Sequence, residues 1–179
     1  KMWYEVDEGA RQSNYVTVLI QSLKKAVKEV RQGLDLSRHH FITVCKNIVL
    51  KVPDMIIDAV LNFHKGITMQ QAPGQRLLAD SRFIGQYLIN IPLLDSDLSS
   101  HQLPPDFVTF SNKSVKKFLS ILKFMLIEMV DTDIKAMALN FEKIVGESVE
   151  ESSMVKILKW KGINPSQVNE IISEILKME

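Results

Sequence analysis

Apolar residues recur three and four positions apart from Val16 onward: Val16, Leu19, Ile20, Leu23, Ala26, Val27, Val30 and Leu34. That spacing puts them on one side of a helix, with Lys24, Lys25, Lys28 and Arg31 on the other and Gly33 as the expected stop. A second stripe follows in Phe41, Val44, Cys45, Ile48, Val49 and Val52. Pro53 is expected to stop or kink that helix, because it lacks a backbone donor and its ring clashes with the preceding turn. Ile56, Ile57, Val60, Leu61 and His64 continue the pattern to Lys65-Gly66, and Thr68 to Pro73 reads as a connector. In the next helix, Gly74 to Ile91, Leu77, Ile84, Leu88 and Ile91 keep helical spacing and Pro92 ends it. Asp80 and Ser81 interrupt its stripe.

The periodicity then fails. Leu93 to Pro105 holds Asp95, Ser96, Asp97, Ser99, Ser100, Pro104 and Pro105, the composition of a boundary. A long loop inside one domain is the alternative. Helical spacing resumes in Val115, Phe118, Leu119, Leu122, Met125, Leu126 and Met129, and again in Ile134, Met137, Ala138, Phe141, Ile144 and Val145. The short Asp131-Thr-Asp turn between these two predicts antiparallel neighbours. Ser148 with Glu151 fits a capping box that opens a short helix carrying Met154, Val155, Ile157, Leu158 and Trp160, ended by Gly162. Asn164 and Pro165 open the last helix, whose stripe is Val168, Ile171, Ile172, Ile175 and Leu176. The expectation is an all-α chain of two antiparallel helical bundles in tandem: residues 1–92, a linker at 93–105, and residues 106–179. No repeat-length period favours a regular solenoid.

Composition changes this picture little. The chain has 179 residues, 22 basic against 21 acidic, and a net charge of +1, so no global field favours nucleic acid. The lone Cys45 excludes an internal disulfide and fits a reducing compartment. The start has no apolar signal core, and the longest apolar run, Phe118 to Val130, is broken by Lys123 and Glu128 and is too short to span a bilayer. The chain therefore reads as cytosolic-side. Its first residue is Lys and its ends look cut, so it also reads as part of something longer.

Candidate chemistry is sparse. His39, His40, Cys45 and His64 do not have the one-turn spacing of a helical zinc site. Cys45 lies on an apolar stripe and reads as a packed thiol. No nucleophile elbow or phosphate loop is present. Asp131, Asp133, Glu150 and Glu151 sit at helix starts, where they complement the helix dipole. Asp80 reads as a structural hydrogen-bond acceptor to a neighbouring helix or loop. The expectation is a non-enzyme with no catalytic residue, metal or cofactor. Three basic clusters remain: Lys24, Lys28 and Arg31; Lys113, Lys116 and Lys117; and Lys156, Lys159 and Lys161 around Trp160. A basic patch beside an aromatic can serve an anionic membrane or an acidic partner, so Lys156, Lys159, Trp160 and Lys161 are the candidate partner-binding residues. The competing reading is a solvated helix face with the tryptophan turned inward.

The run GQRLLADSRFIGQYLINIP at Gly74 to Pro92 resembles the C-terminal region of the vacuolar protein sorting-associated protein 53 family. These are subunits of the Golgi-associated retrograde protein (GARP) tethering complex. The resemblance extends to Ser13-Asn-Tyr-Val16, Arg38 to Val49, Lys51 to Ile56, Lys116 to Met125, Asn140 to Ile144 and MVKILKWKGI at Met154 to Ile163. Within it, Met154 stands at an apolar position usually filled otherwise. Gly85 departs from the pattern, at a cost of about 1 kcal/mol of helix propensity relative to alanine.

The resemblance implies a helical-rod tether of the class that includes the exocyst, the conserved oligomeric Golgi complex and the Dsl complex; a scaffold of one of those is the alternative. It implies peripheral association with the cytosolic face of the trans-Golgi network and endosomes. Other GARP subunits would bind mostly elsewhere in the protein. SNARE proteins, a coiled-coil tether, a small GTPase or vesicle components would meet these bundles, and nucleic acid would not.

Overall fold

A computed structural model of the chain describes residues 12–33, 37–63, 71–93, 103–126 and 151–177, together with Ala136, Ala138, Leu139, Phe141 and Lys143. The chain is all-helical. Six helices are delimited among the described residues: α1 (Asn14–Gly33), α2 (Arg38–Phe63), α3 (Gln71–Ile89), α4 (Pro105–Leu126), α5 (Glu151–Trp160) and α6 (Pro165–Leu176). A 3-10 turn, Ile91–Leu93, follows α3. Ala136, Ala138, Leu139, Phe141 and Lys143 are also helical. His64, His101, Ser148, the Asp131-Thr-Asp turn and most of the expected linker lie outside the described residues.

The chain divides into two compact units. The first comprises Lys1–Asp54 and Ala72–Lys116; the second comprises Met55–Gln71 and Lys117–Glu179. Both α2 and α4 contribute residues to each unit. Phe107, Ser111 and Val115 of α4 thus belong with α1 and α3.

In the first unit the predicted stripes become the core. Val16, Ile20 and Val27 of α1, Phe41, Cys45, Val49 and Val52 of α2, Leu77, Leu78, Ile84 and Leu88 of α3, and Phe107 and Val115 of α4 are all buried. Burying one such side chain contributes about 1.5–3 kcal/mol. Arg31 lies over the Phe41 ring at 5.5 Å and ties the end of α1 to α2. Lys46 of α2 binds Asp106 in the first turn of α4 at 2.9 Å, and its ammonium also lies 5.6 Å from the Phe110 ring.

Three boundary expectations are corrected. Pro53 does not stop α2, which runs through it to Phe63. Val49 and Val52 before it and Val60 beyond it are buried, and that packing outweighs the missing hydrogen bond. The expected connector at Thr68 to Pro73 is partly helical, since α3 starts at Gln71. Pro73 falls in the first turn, where its missing N–H would have no intrahelical acceptor anyway. Finally, α3 ends at Ile89 and not at Ile91, and the chain turns through Asn90 N–H to the Tyr87 carbonyl (3.1 Å) and Leu93 N–H to the Asn90 carbonyl (2.9 Å).

Gly85, the departure in α3, has a packing reason. A Cβ built there would lie 2.6 Å from Cγ1 of Val115 in α4. The glycine is what lets Val115 seat against the α3 backbone.

In the second unit, Phe118, Ile121, Leu122, Phe124 and Met125 of α4 are buried, with Ala138 and Phe141. The Phe124 and Phe141 rings meet edge to face at 4.8 Å. Met154, Ile157 and Leu158 of α5 and Val168, Ile171, Ile172 and Ile175 of α6 complete this core.

Candidate functional site: the α5–α6 face

The junction between α5 and α6 is built by local chemistry. Gly162 adopts a φ of +81°. Its N–H reaches the Lys159 carbonyl at 3.0 Å, and the Ile163 N–H reaches the Leu158 carbonyl at 3.2 Å. This pair of bonds is the Schellman closure of a helix, which requires a left-handed residue at its turn. Two residues later Asn164 caps α6: its side chain accepts from the Ser166 N–H at 3.2 Å, with Pro165 at the first helical position. The expected glycine stop and asparagine-proline start are both present.

The structure separates the four candidate residues of this region. Lys156 and Lys159, three positions apart, are exposed on the side of α5 away from Met154, Ile157 and Leu158. Trp160 is half-buried, and its indole nitrogen is buried without a hydrogen-bond partner. Its polar edge therefore points inward. Lys161 is half-buried too. Its ammonium donates to the Met125 carbonyl at 3.3 Å and lies 5.2 Å from the Phe124 ring. A cation at the last carbonyls of α4 complements the helix dipole. Burial nonetheless lowers the Lys161 pKa to about 8. Lys161 thus locks α5 to the end of α4, leaving Lys156 and Lys159 as the outward-facing charges.

Sequence reasoning missed a groove of about 410 Å³ lined by Val155, Asn169, Ile172, Ser173, Leu176 and Lys177. Leu176, read as the last core residue of α6, is half exposed at its edge. Lys177 on its rim is paired with Glu174 at 2.8 Å. The available signal was positional: an apolar residue in a final helical turn has no following turn to cover it.

Two further residues singled out by sequence, Asp80 and Cys45, are buried. Asp80 is 2% exposed. One carboxylate oxygen accepts from the Ser13 N–H at 3.2 Å and lies 3.6 Å from Nε of Arg76, which itself donates to the Ser13 hydroxyl at 3.2 Å. Asp80 thereby places negative charge at the start of α1, the positive end of that helix's dipole. Burial, and then the neighbouring Asp80 carboxylate, raise the Tyr15 phenol above its ordinary range. Cys45 is fully buried, and desolvation pushes its thiol up to about 12. His39 and His40 are exposed, their rings in edge contact at 6.0 Å. No group of three metal-ligand side chains occurs among the described residues, and none of the described helices is long and apolar enough to cross a membrane.

No protein-family model and no solved structure matches the chain. Among curated proteins, the chain is 22% identical over 173 residues to the Vacuolar protein sorting-associated protein 53 homolog of Caenorhabditis elegans. The match covers 96% of this chain but 21% of that protein, so the chain spans about a fifth of its relative's length. What the comparison gives is a distant similarity, over nearly the whole chain, to one segment of a vacuolar protein sorting protein.

Proposed function

We propose that this chain is a non-catalytic, helical part of a vesicle-tethering subunit of the GARP type, acting in retrograde transport from endosomes to the trans-Golgi network. The observation that carries this reading is the similarity to the nematode protein along 96% of the chain. The all-helical architecture, with stripes that pack cores and leave polar outer faces, accords with a binding element. The outer face of α5, with Lys156 and Lys159, and the groove floored by Val155, Ile172 and Leu176 form the recognition surface in this reading. A SNARE, a small GTPase or a vesicle component meets it, at the cytosolic face of the trans-Golgi network and endosomes. Other GARP subunits bind mainly outside this segment.

The test removes this segment from the protein that carries it. The truncated protein is expected to capture the other tethering subunits by affinity purification, yet fail to restore retrieval of cycling receptors to the Golgi. Normal retrieval would sink the reading. Dissolution of the complex would make the segment an assembly element and overturn the recognition surface.

A further inference from the structure

The solvent side of α3 is unlike that of the other long helices. α1 exposes Lys24, Lys25, Lys28 and Glu29; α2 exposes Arg38, Lys51, Asp54 and Asp58; α4 exposes Asp106, Lys113, Lys116 and Lys123. Of the three charged residues in α3, Arg82 is the exposed one. The other two, Arg76 and Asp80, lie 3.6 Å apart, and Asp80 is buried. The rest of the exposed side is Gln75, Ala79, Phe83 and Gln86.

Ala79, Phe83 and Tyr87 stand one turn apart and form a row along this side. Phe83 is 44% exposed. Tyr87 is half-buried, and its hydroxyl is buried with no hydrogen-bond partner among the described residues. The side-chain surface that Tyr87 presents is therefore carbon. Ala79 leaves a notch one turn before the Phe83 ring. Arg82 and Gln86 flank the row, each three positions from one of its members. Arg82 has no ion pair among the described residues.

An aromatic row with one arginine, and no exposed lysine or acid, has the make-up of the centre of a protein interface and not of a solvated face. Its one-turn spacing fits a second helix laid along α3, with apolar side chains seated in the notch. The charge selects among occupants. An anionic bilayer is held by clustered Lys and Arg, and this side exposes one cation. A second copy, meeting the same face symmetrically, would bring no carboxylate to Arg82. A partner helix with an acidic residue beside its apolar row supplies both.

We propose that the outer side of α3 is the docking surface for an amphipathic helix of a partner protein, which packs its apolar row on Ala79, Phe83 and Tyr87 and pairs a carboxylate with Arg82. This surface is separate from the α5–α6 face, and the proposal does not rest on the tethering assignment, which receptor retrieval tests.

The experiment places a photoreactive benzoylphenylalanine at Phe83 in the protein that carries this chain and irradiates it in cells. The crosslink is expected to map, by mass spectrometry, to a helical segment of another protein with Asp or Glu beside its apolar row. The same group at exposed Lys159, in the other unit, is expected not to give it. A synthetic peptide of the mapped segment is then expected to bind the same protein, and Phe83→Ala or Arg82→Glu to weaken that binding by more than about tenfold. A peptide with its acid reversed to lysine is expected to regain affinity for Arg82→Glu. Circular dichroism checks the fold, and Ala79→Arg, which fills the notch from an exposed position, serves if Phe83→Ala unfolds. Crosslinks confined to this chain, to a second copy or to lipid overturn the proposal, as does the absence of any crosslink. A mapped segment without acidic residues also overturns it, as does a loss in Arg82→Glu that the reversed peptide fails to restore.

Discussion

Gly85 shows how a single side chain can look wrong in sequence and be required in three dimensions. Helix propensity alone says that alanine there would stabilise α3 by about 1 kcal/mol. The 2.6 Å approach of a built Cβ to the Val115 methyl says the opposite, because a β-branched side chain has little rotamer freedom with which to retreat. Gly85→Ala is expected to destabilise the chain by about 1–3 kcal/mol, the usual range for overpacking. Urea denaturation checks it, with Gly85→Ala/Val115→Ala recovering part of the loss. An unchanged midpoint in the single variant would show that Val115 moves freely. Asp80 was legible as an acceptor because a carboxylate beside an apolar stripe needs a partner. That the partner is the start of α1 was not legible, since Ser13 lies 67 residues away and only the fold joins them. Cys45 was readable outright: its place on a stripe already implied burial.

Elements were legible where local chemistry sets them and less so where packing overrides it. The α5–α6 junction is the first kind, with glycine and asparagine-proline signals both used as written. Gly162→Ala, which must hold a left-handed conformation, is expected to cost about 1–2 kcal/mol. Gly162→Asn should cost less, because asparagine tolerates that region. The denaturation midpoints of the two variants decide it, and equal midpoints would count against the Schellman closure as a constraint. α2 is the second kind. Its proline invited a break at Pro53, but burial on both sides carries the helix through. The Lys156–Lys161 segment shows the limit of pattern reading. A stretch of one helix and its turn presents Lys156 and Lys159 to solvent while the Trp160 nitrogen is buried and Lys161 is drawn to the end of α4, which spacing alone does not tell.

At the scale of the whole molecule, stability should depend on alkaline pH in two opposing ways. The Cys45 thiol keeps its proton to about 12 when folded, against 9.0 for an unperturbed thiol. Between those values the folded chain binds more protons than the unfolded one, so this group lowers stability as pH rises. Tyr15, raised in the same direction, adds to the fall above 10.0. Lys161 does the reverse. Its folded pKa is about 8 against 10.5 unperturbed, so the unfolded chain binds more protons across that window and stability rises with pH. Unfolding free energies measured from pH 7 upward should therefore lose their rise beyond about 8 in Lys161→Met and part of their later fall in Cys45→Ala. Unchanged profiles in both variants would refute the assignment.

The link between Lys46 and Asp106 ties the first turn of α4 to α2. Asp106 opens α4, and its carboxylate is fastened to α2, with Phe110 one turn further on against the same ammonium. On the other side, Ile91 and Pro92 are buried just after α3. The two ends of the intervening segment are each tied to the first unit by side chains outside that segment. The start of α4 is then set by Asp106 itself, so Asp106→Ala is expected to loosen the first turn of α4 from α2 while Ile91 and Pro92 keep their buried places after α3.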